Sequence, residues 1–390
     1  MFCATFIFQT RSSKGGGIMR KIKIMHVVQA AGGVDRYIRM LLKYLDKNEF
    51  ENILVCSQDF HKDDYKNLID SFEQIAMSRE IGKKDLEAIA EVRKLIKHYS
   101  PDVVYAHSSK AGAIARVANI GLKPHCVYNP HGWAFNMRCS EKKKKIYTTI
   151  ERVSARFCDK IICISEAEKQ SALDKKICRE NKLKVIFNGV DIESYENEAH
   201  GLIKRENINI PENAFIVGMV GRISSQKAPD VFIKMAELVK REIPNAHFII
   251  VGSGEQENEI RKYAADKGFS DSLHITGWVD NPMSYVELFD VACLLSRWEG
   301  FGLAIPEYMM AGKPVVASNV DAIPNIIKDG ENGLLIDVDD FVGASKAVIK
   351  IFQDTSLREM LVKGGKSNLK RFDAKRVSLE HQELFEAINK

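Results

Sequence analysis

Glu299 and Glu307 stand eight residues apart, with Gly300-Phe301-Gly302-Leu303-Ala304-Ile305-Pro306 between them. Pro306 and the following Tyr308-Met309-Met310-Ala311 place a helix start near Ile305, so Glu307 falls in the first turn and Glu299 on the loop before it. Two carboxylates so placed can accept hydrogen bonds from the vicinal hydroxyls of a sugar or a ribose. The loop N–H groups that Gly300 and Gly302 leave bare, together with the helix dipole, suit a phosphate. The plainer alternative is a capping acid beside an incidental loop acid. The glycines between the two acids make this the most specific signal in the chain.

Gly221-Arg222-Ile223-Ser224-Ser225-Gln226-Lys227 lies between a strand pattern and a helix from Asp230. A guanidinium and an ammonium beside a helix N-terminus suit a diphosphate; two solvated cations are the alternative. Ala30-Ala31-Gly32-Gly33 follows the first strand pattern and leads into a helix, so its backbone can approach an anion. It matches neither G-x-G-x-x-G nor G-x₄-G-K-[ST], and a tight strand–helix turn explains it equally well. Asn129-Pro130-His131-Gly132 sets a histidine past a strand end, where it can hydrogen-bond a substrate oxygen or serve structure alone. His107 and Lys110 form a similar pair at another strand end of the same half. Arg138 to Lys145 (RCSEKKKK) carries five basic residues and one acid, a net +4. Cations at a helix start oppose its dipole, so the run reads either as solvated first turns or as a patch for anionic lipid head groups or a phosphorylated acceptor. Asp337-Val338-Asp339-Asp340 contains D-x-D, a divalent-ion pattern elsewhere, but its place after Gly333–Ile336 favours helix capping.

These residues need a scaffold, and from Lys21 the chain supplies one. Short apolar strands alternate with helical patterns: strands at 21–28, 53–56, 102–106, 126–128, 160–164 and 184–187, helices at 37–45 and 85–99. Ser140 can cap a helix in which Ile146, Ile150, Val153 and Phe157 recur at helical spacing. A second series places strands at 215–220, 247–251, 273–276, 291–295 and 314–317, with helices at 230–240 and 255–267. Continuously apolar strands alternating with helices imply parallel sheets covered on both faces. The polar stretch Asp191–Pro211 divides two doubly wound α/β domains, expected over 19–195 and 196–373, with a helix at 374–390 packing back on the first. Such sheets bind ligands beyond the carboxyl ends of their strands. There the sequence places Gly33, His107, Lys110, His131 and Asn188 in one half and Arg222, Ser253, Trp278 and Glu299 in the other. A shared polar site facing a cleft follows.

The chain has 390 residues, 57 Lys+Arg against 52 Asp+Glu, 45% hydrophobic and 28% charged residues. That is the mix of a folded globular protein, not of a disordered chain or a disulfide scaffold. No apolar run approaches the ~18–20 residues of a membrane helix. A net +5 spread over this length suits a surface that meets anions and does not by itself indicate nucleic acid. None of the eight cysteines makes a C-x₂-C pair, so buried free thiols are expected. Residues 1–18 read as a flexible extension before a start at Met19, with no secretory signal.

Taken together, these residues resemble glycosyltransferase family 4, retaining nucleotide-sugar-dependent enzymes of the GT-B fold. The likeness runs from about Lys21 to Lys390. It rests on the E-x₇-E motif from Glu299 to Glu307, on Gly221-Arg222 with Lys227, on His131-Gly132, on Asn188-Gly189-Val190-Asp191 and on Glu331-Asn332-Gly333. His107-Ser108-Ser109-Lys110-Ala111-Gly112 is similar to members that build capsular and exopolysaccharides. The resemblance implies that Arg222 and Lys227 bind the donor diphosphate and that Glu307 holds the ribose. Glu299 and the N–H groups of Phe301, Gly302 and Leu303 would hold the donor sugar and phosphate. The base would stack near Trp278, with Ser253 also on the donor side. Gly33 would approach the diphosphate from the opposite domain, and His131 would touch the sugar near the reacting carbon. His107, Lys110 and Asn188 are the acceptor-side candidates.

The donor implied is a nucleotide sugar, of the UDP type, with no metal and no other cofactor. The partners implied are a lipid-linked saccharide and the anionic inner face of the cell membrane, not nucleic acid. The donor phosphate itself would take the acceptor proton. Ala228 stands where the family usually has glycine, and Ala322-Ile323-Pro324-Asn325 replaces the common Gly-x-Pro-Glu. An epimerase of the same fold and a non-catalytic nucleotide-sugar or polyanion binder are the competing readings.

Overall fold

The computed structural model describes residues 20–390 apart from 30, 78–81, 83, 138 and 199. The expected extension 1–18, Ala30 of the first glycine turn and Arg138 of the basic run therefore lie outside the described residues.

Two parallel sheets form, as the alternating pattern demands. The first contains β1 (Ile22–Val28), β2 (Phe50–Cys56), β3 (Ser71–Gln74), β4 (Val103–His107), β5 (His125–Asn129), β6 (Lys160–Cys163) and β7 (Leu183–Val185). Its strand order is β3-β2-β1-β4-β5-β6-β7. The second contains β8 (Phe215–Val220), β9 (Ala246–Val251), β10 (Leu273–Ile275), β11 (Val291–Leu294), β12 (Val315–Ser318) and β13 (Leu334–Ile336), in the order β10-β9-β8-β11-β12-β13. All pairings are parallel, and each sheet winds outward in both directions from its first strand. The central strands β4 and β11 are buried along their whole length, which is why their sequences are apolar throughout, save for the buried His107 that ends β4.

β3 was not foreseen, because Ser71-Phe72-Glu73-Gln74 has no buried face: it is an edge strand in which no residue is fully buried. The helix Glu141–Ser154 starts at its Ser140 cap, as expected, but buries Thr148, Glu151 and Ser154. Its apolar stripe of Ile146, Ile150, Val153 and, just beyond, Phe157 faces solvent. The buried face of this helix carries an ion pair instead. Arg116 forks onto Glu151 Oε2 at 3.0 Å from both terminal nitrogens, and its guanidinium lies 3.9 Å over the Tyr128 ring.

The chain returns to its first half at its end. Val190 N donates to Phe372 O (2.8 Å) and Ala374 N to Val190 O (3.0 Å), a short parallel bridge that launches the helix Ala374–Ile388 across the first sheet. Gly189 permits the crossing: a Cβ there would lie 2.9 Å from Val377 Cγ2 and 3.1 Å from Phe372 O. The helix buries Val377, His381, Leu384 and Phe385 against Tyr37, Leu41, Phe50 and Tyr105. Burial of each such large apolar side chain contributes on the order of 1.5–3 kcal/mol, enough to hold the return segment in place.

Candidate functional site

The carboxyl ends of both sheets face one another, and the strand-end residues converge there. A cavity of about 360 Å³ opens between them, lined among others by His131, Gly132, Glu168, Glu299, Gly300 and Asp321. The two halves touch at its floor. A Cβ built on Gly300 would sit 3.2 Å from Gly132 Cα, a tighter contact than most side chains make, so the glycine eases this close approach. Ser165 Oγ donates to Gly300 O (3.4 Å) and Ala167 N to Asn325 Oδ1 (3.2 Å). Asn325, which departs from the family pattern, is thus used as a fastener between the halves. A larger open cavity of about 620 Å³, near Lys313 and Arg358, lies at the other end of the second sheet and holds none of these residues.

On the second half, Glu299 is nearly buried, at 8% exposure. Its Oε1 accepts from Lys227 Nζ and from Ser296 Oγ (2.7 Å), and its backbone N donates to Asp321 Oδ2 (2.9 Å). Lys227 is placed by the turn that ends at Ala228. That residue is fully buried and left-handed (φ 51°, ψ 52°), the conformation for which glycine is the usual choice. The turn therefore keeps the glycine conformation without the glycine. Pro229 then opens the helix Pro229–Glu242.

Arg222 points outward: its side chain is 74% exposed and holds only Glu255, itself 55% exposed, at 3.2 Å. Glu307 sits in the first turn of the helix Ala304–Met310 and is 7% exposed. Its Oε1 accepts from Arg36 of the first half at 2.5 Å. Phe301 is buried against Phe187 and Phe372, so its ring serves packing and only its backbone can serve a ligand. Gly302 has φ 90°, and Leu303 immediately precedes the helix. Ser253 is exposed beyond β9 while its carbonyl accepts from Ile223 N (3.0 Å), and Trp278 is 76% exposed beyond β10. Asp339 pairs with Arg297 (2.6 Å), and Asp340 caps the helix Phe341–Gln353 through Gly343 N, so the D-x-D segment caps a helix.

On the first half, Gly33 is exposed at the start of the helix Gly33–Tyr44. His131 lines the cavity with a left-handed backbone (φ 52°), held by its N–H donation to Asn129 Oδ1 (2.9 Å). Burial pushes its imidazole down to about 3. His107 stands behind it, Nδ1 to Nε2 at 3.1 Å, and burial lowers it well below the usual range. Lys110 is drawn to Asp85 at 2.5 Å and does not line the cavity. Asn188 is buried, its Oδ1 without a hydrogen-bond partner.

Four site residues carried no signal in the sequence: Arg36, Ser296, Asp321 and Glu168. Glu168 is 3% exposed; its Oε2 accepts from Ile164 N (3.0 Å) and its Oε1 has no partner. Burial, with the Asp321 charge adding to it, raises its carboxyl to about 8. Among the described residues no cluster of three or more His, Cys, Asp or Glu is arranged to hold a metal. No described helix is long and apolar enough to cross a membrane.

Known proteins share both the sequence pattern and the fold of this chain. Residues 31–194 match the family model "Glycosyltransferase Family 4", and residues 202–368 match "Glycosyl transferases group 1". The chain is 30% identical over 349 residues to the UDP-Gal:alpha-D-GlcNAc-diphosphoundecaprenol alpha-1,3-galactosyltransferase of Escherichia coli, covering 87% of this chain and 90% of that protein. It is 26% identical to the capsular polysaccharide biosynthesis glycosyltransferase CapM of Staphylococcus aureus, over 90% of this chain and 93% of the relative. The crystal structure of Anabaena HepE in complex with UDP superimposes with a TM-score of 0.78 at 20% identity, covering 94% of this chain and 100% of that one. The two parallel sheets are thus the GT-B arrangement.

Proposed function

The chain belongs to the family 4 glycosyltransferases, and from that premise we propose that it moves a sugar from a UDP-linked donor to a lipid-linked saccharide, with retention, in the building of a capsular or exopolysaccharide. The observation that carries this reading is the meeting of Lys227, Glu299 and Glu307 from one sheet with His131 and Arg36 from the other across one cleft.

In this reading the bond from the anomeric carbon to the diphosphate breaks and a bond to the acceptor oxygen forms on the same face. The acceptor proton passes to the departing phosphate oxygen. Negative charge grows on the diphosphate, so fixed cations and N–H dipoles aimed at it lower the barrier. Lys227 is already held at the site by Glu299; Arg222 is long, exposed and able to swing in. Glu307 takes the ribose hydroxyls, displacing Arg36. Phe301, Gly302 and Leu303 offer backbone N–H groups, and Trp278 and Ser253 border the base. The reading assigns no metal, since Arg222 and Lys227 supply the positive charge.

The lipid-linked acceptor is supported by the helix Glu141–Ser154. Lys142, Lys143 and Lys145 flank a solvent-facing stripe of Ile146, Ile150, Val153 and Phe157, 36–50% exposed, and Met137, before the helix in sequence, is 51% exposed. Met137 also lines the cavity, so this surface runs into the site. An apolar stripe edged by lysines suits an anionic bilayer interface.

Two measurements test the proposal. The purified chain is screened with UDP-, GDP-, ADP- and dTDP-sugars in the presence of a chelator. Slow release of UDP from one UDP-sugar is expected; release of an epimerised sugar nucleotide, or no binding at all, overturns the transferase reading. Sedimentation with phosphatidylglycerol vesicles is expected to fall at least tenfold when Ile146 and Val153 are changed to Glu, with UDP binding unaltered. Unchanged sedimentation removes the membrane surface from the proposal.

A further inference from the structure

Three histidines and an asparagine, none of them adjacent in sequence, line up across the first sheet. Asn52 on β2, His26 on β1 and His107 on β4 project from one face, because pleated strands alternate and the parallel register pairs Ile24 with Asn52, His26 with Tyr105 and Val28 with His107. His131 follows just beyond β5. Asn52 Oδ1 meets His26 Nε2 at 3.1 Å, His26 Nδ1 meets His107 Nε2 at 3.3 Å, and His107 Nδ1 meets His131 Nε2 at 3.1 Å. The rings are nearly parallel, 15° between His26 and His107 and 21° between His107 and His131. Asn52 is 2% exposed, and His26 and His107 are fully buried.

We propose that Asn52, His26 and His107 are positioning residues that decide which nitrogen of His131 carries the proton, leaving a bare Nδ1 toward the cleft to accept a hydrogen bond from a donor-sugar hydroxyl; the sugar part of this rests on the transferase reading above. A neutral imidazole has one N–H and one lone pair. Burial lowers all three histidines far below their usual value, so each is neutral. Each link can hold one proton, so the protons must all point the same way along the row. The carbonyl oxygen of Asn52 breaks the tie. It can only accept, so His26 donates from Nε2 and exposes its Nδ1 lone pair. His107 then donates from Nε2 to that lone pair, and His131 donates from Nε2 to His107. Only the His131 Nδ1 remains, as an acceptor.

The backbone and a neighbouring ring hold this imidazole in place. Asn129 Oδ1 accepts the backbone N–H of His131 at 2.9 Å, and Tyr37 packs edge-on against the His131 ring with centroids 4.6 Å apart. Tyr37 is in turn bonded to His381 of the returning helix at 2.8 Å, and that histidine's Nδ1 donates to Val377 O at 2.7 Å. A lone pair at the cleft takes the O–H of a hydroxyl. It repels a carboxylate, which offers only lone pairs, so the arrangement favours a neutral hydroxyl-bearing sugar over a uronic acid.

The test uses the full chain labelled with ¹⁵N-histidine. Imidazole ¹⁵N spectra are expected to show His131 protonated at Nε2 in the parent protein. Asn52→Leu and His26→Leu remove the end that sets the direction. Both are expected to give a mixture of His131 tautomers and a kcat about tenfold lower, the equivalent of one hydrogen bond, with the Kd for UDP unchanged within twofold. His26→Gln keeps a donor toward Asn52 and an acceptor toward His107, and is expected to restore the parent spectrum and most of kcat. Two Leu variants guard against one failing to fold, which thermal melting reveals. A His131 spectrum and kcat unchanged in the folded Leu variant overturn the relay. A tautomer change with no glycosyl transfer by any of the proteins keeps the relay and overturns the transferase reading instead.

Discussion

Replacing Lys227 with Met separates the electrostatic account of the site from a purely structural one. Its ammonium is bonded to Glu299, with side-chain exposures of 20% for the lysine and 7% for the glutamate. Two unit charges about 4 Å apart at an effective dielectric of about 20 attract by ~4 kcal/mol. Because in the proposed reading the diphosphate shares Lys227 with Glu299, about 3 kcal/mol is expected to be lost in the transition state, which is on the order of 10²-fold in kcat/KM. Arg222→Met should cost less, about tenfold, because its guanidinium is 74% exposed and must be ordered before it can act. Lys227→Met also strips Glu299 of its cation, leaving Ser296 as its remaining side-chain donor, and should lower stability by ~1–3 kcal/mol. The double variant Lys227→Met with Glu299→Gln removes that stranded charge. Urea titration should show stability recovered while turnover of the UDP-sugar stays low. Turnover within threefold of the parent in Lys227→Met, or recovered in the double variant, would refute the electrostatic role.

Arg116→Met leaves Glu151 buried without its partner and should destabilise the chain by about 3–5 kcal/mol in urea, whereas an unchanged midpoint would mean the pair contributes nothing. Burial holds His26 and His381 down to about 4 and His131 to about 3, against an ordinary 6.5, so between those values the unfolded chain binds more protons than the folded one. Stability should therefore fall as pH drops below about 6.5, and a flat urea midpoint between pH 7 and 5 would contradict it. Glu168 works in the opposite sense. Its carboxyl is raised to about 8, so the folded chain keeps a proton that the unfolded one loses, and stability drains away as pH rises from about 4.5 toward 8. Glu168→Gln should flatten that decline; an identical pH profile in the variant would show the carboxyl to be ionised already.

What could be read from the sequence was local or periodic. Both parallel sheets were visible because central strands buried on two faces are written as unbroken apolar runs, and the segment from Glu299 to Glu307 was visible because its glycines and acids are contiguous. Partners distant along the chain were not. Arg36 and Glu307 are 271 residues apart, and Lys227 and Glu299 are 72 apart. Nothing in either segment announces the other. The stripe Ile146, Ile150, Val153 and Phe157 shows a further limit: helical spacing defines a face, but not whether protein, lipid or water lies against it. Ala228 shows another, since it departs from the glycine usual in the family it resembles while the backbone kept the left-handed conformation and buried the methyl group. The row from Asn52 to His131 needed both the strand order and the register, because residues on three strands and past the end of a fourth, from four parts of the chain, build it.

The contacts across the cleft differ in kind, and the difference bears on how the site works. Gly132 against Gly300, Ser165 on Gly300 and Ala167 on Asn325 join backbone to backbone or to short side chains, so they hold the halves at one spacing. Arg36 on Glu307 is the reverse: a long side chain, 56% exposed, whose charge rests on a carboxylate that is 9% exposed. An exposed, rotamer-rich arginine is the easier partner to displace, while Glu307 stays fixed on its helix. In the proposed reading, ribose hydroxyls arriving at Glu307 must first compete with that guanidinium. Arg36 so displaced would, in the same reading, be a cation available to the donor's diphosphate. On that reading one guanidinium serves two partners in turn, first Glu307 and then the donor's diphosphate.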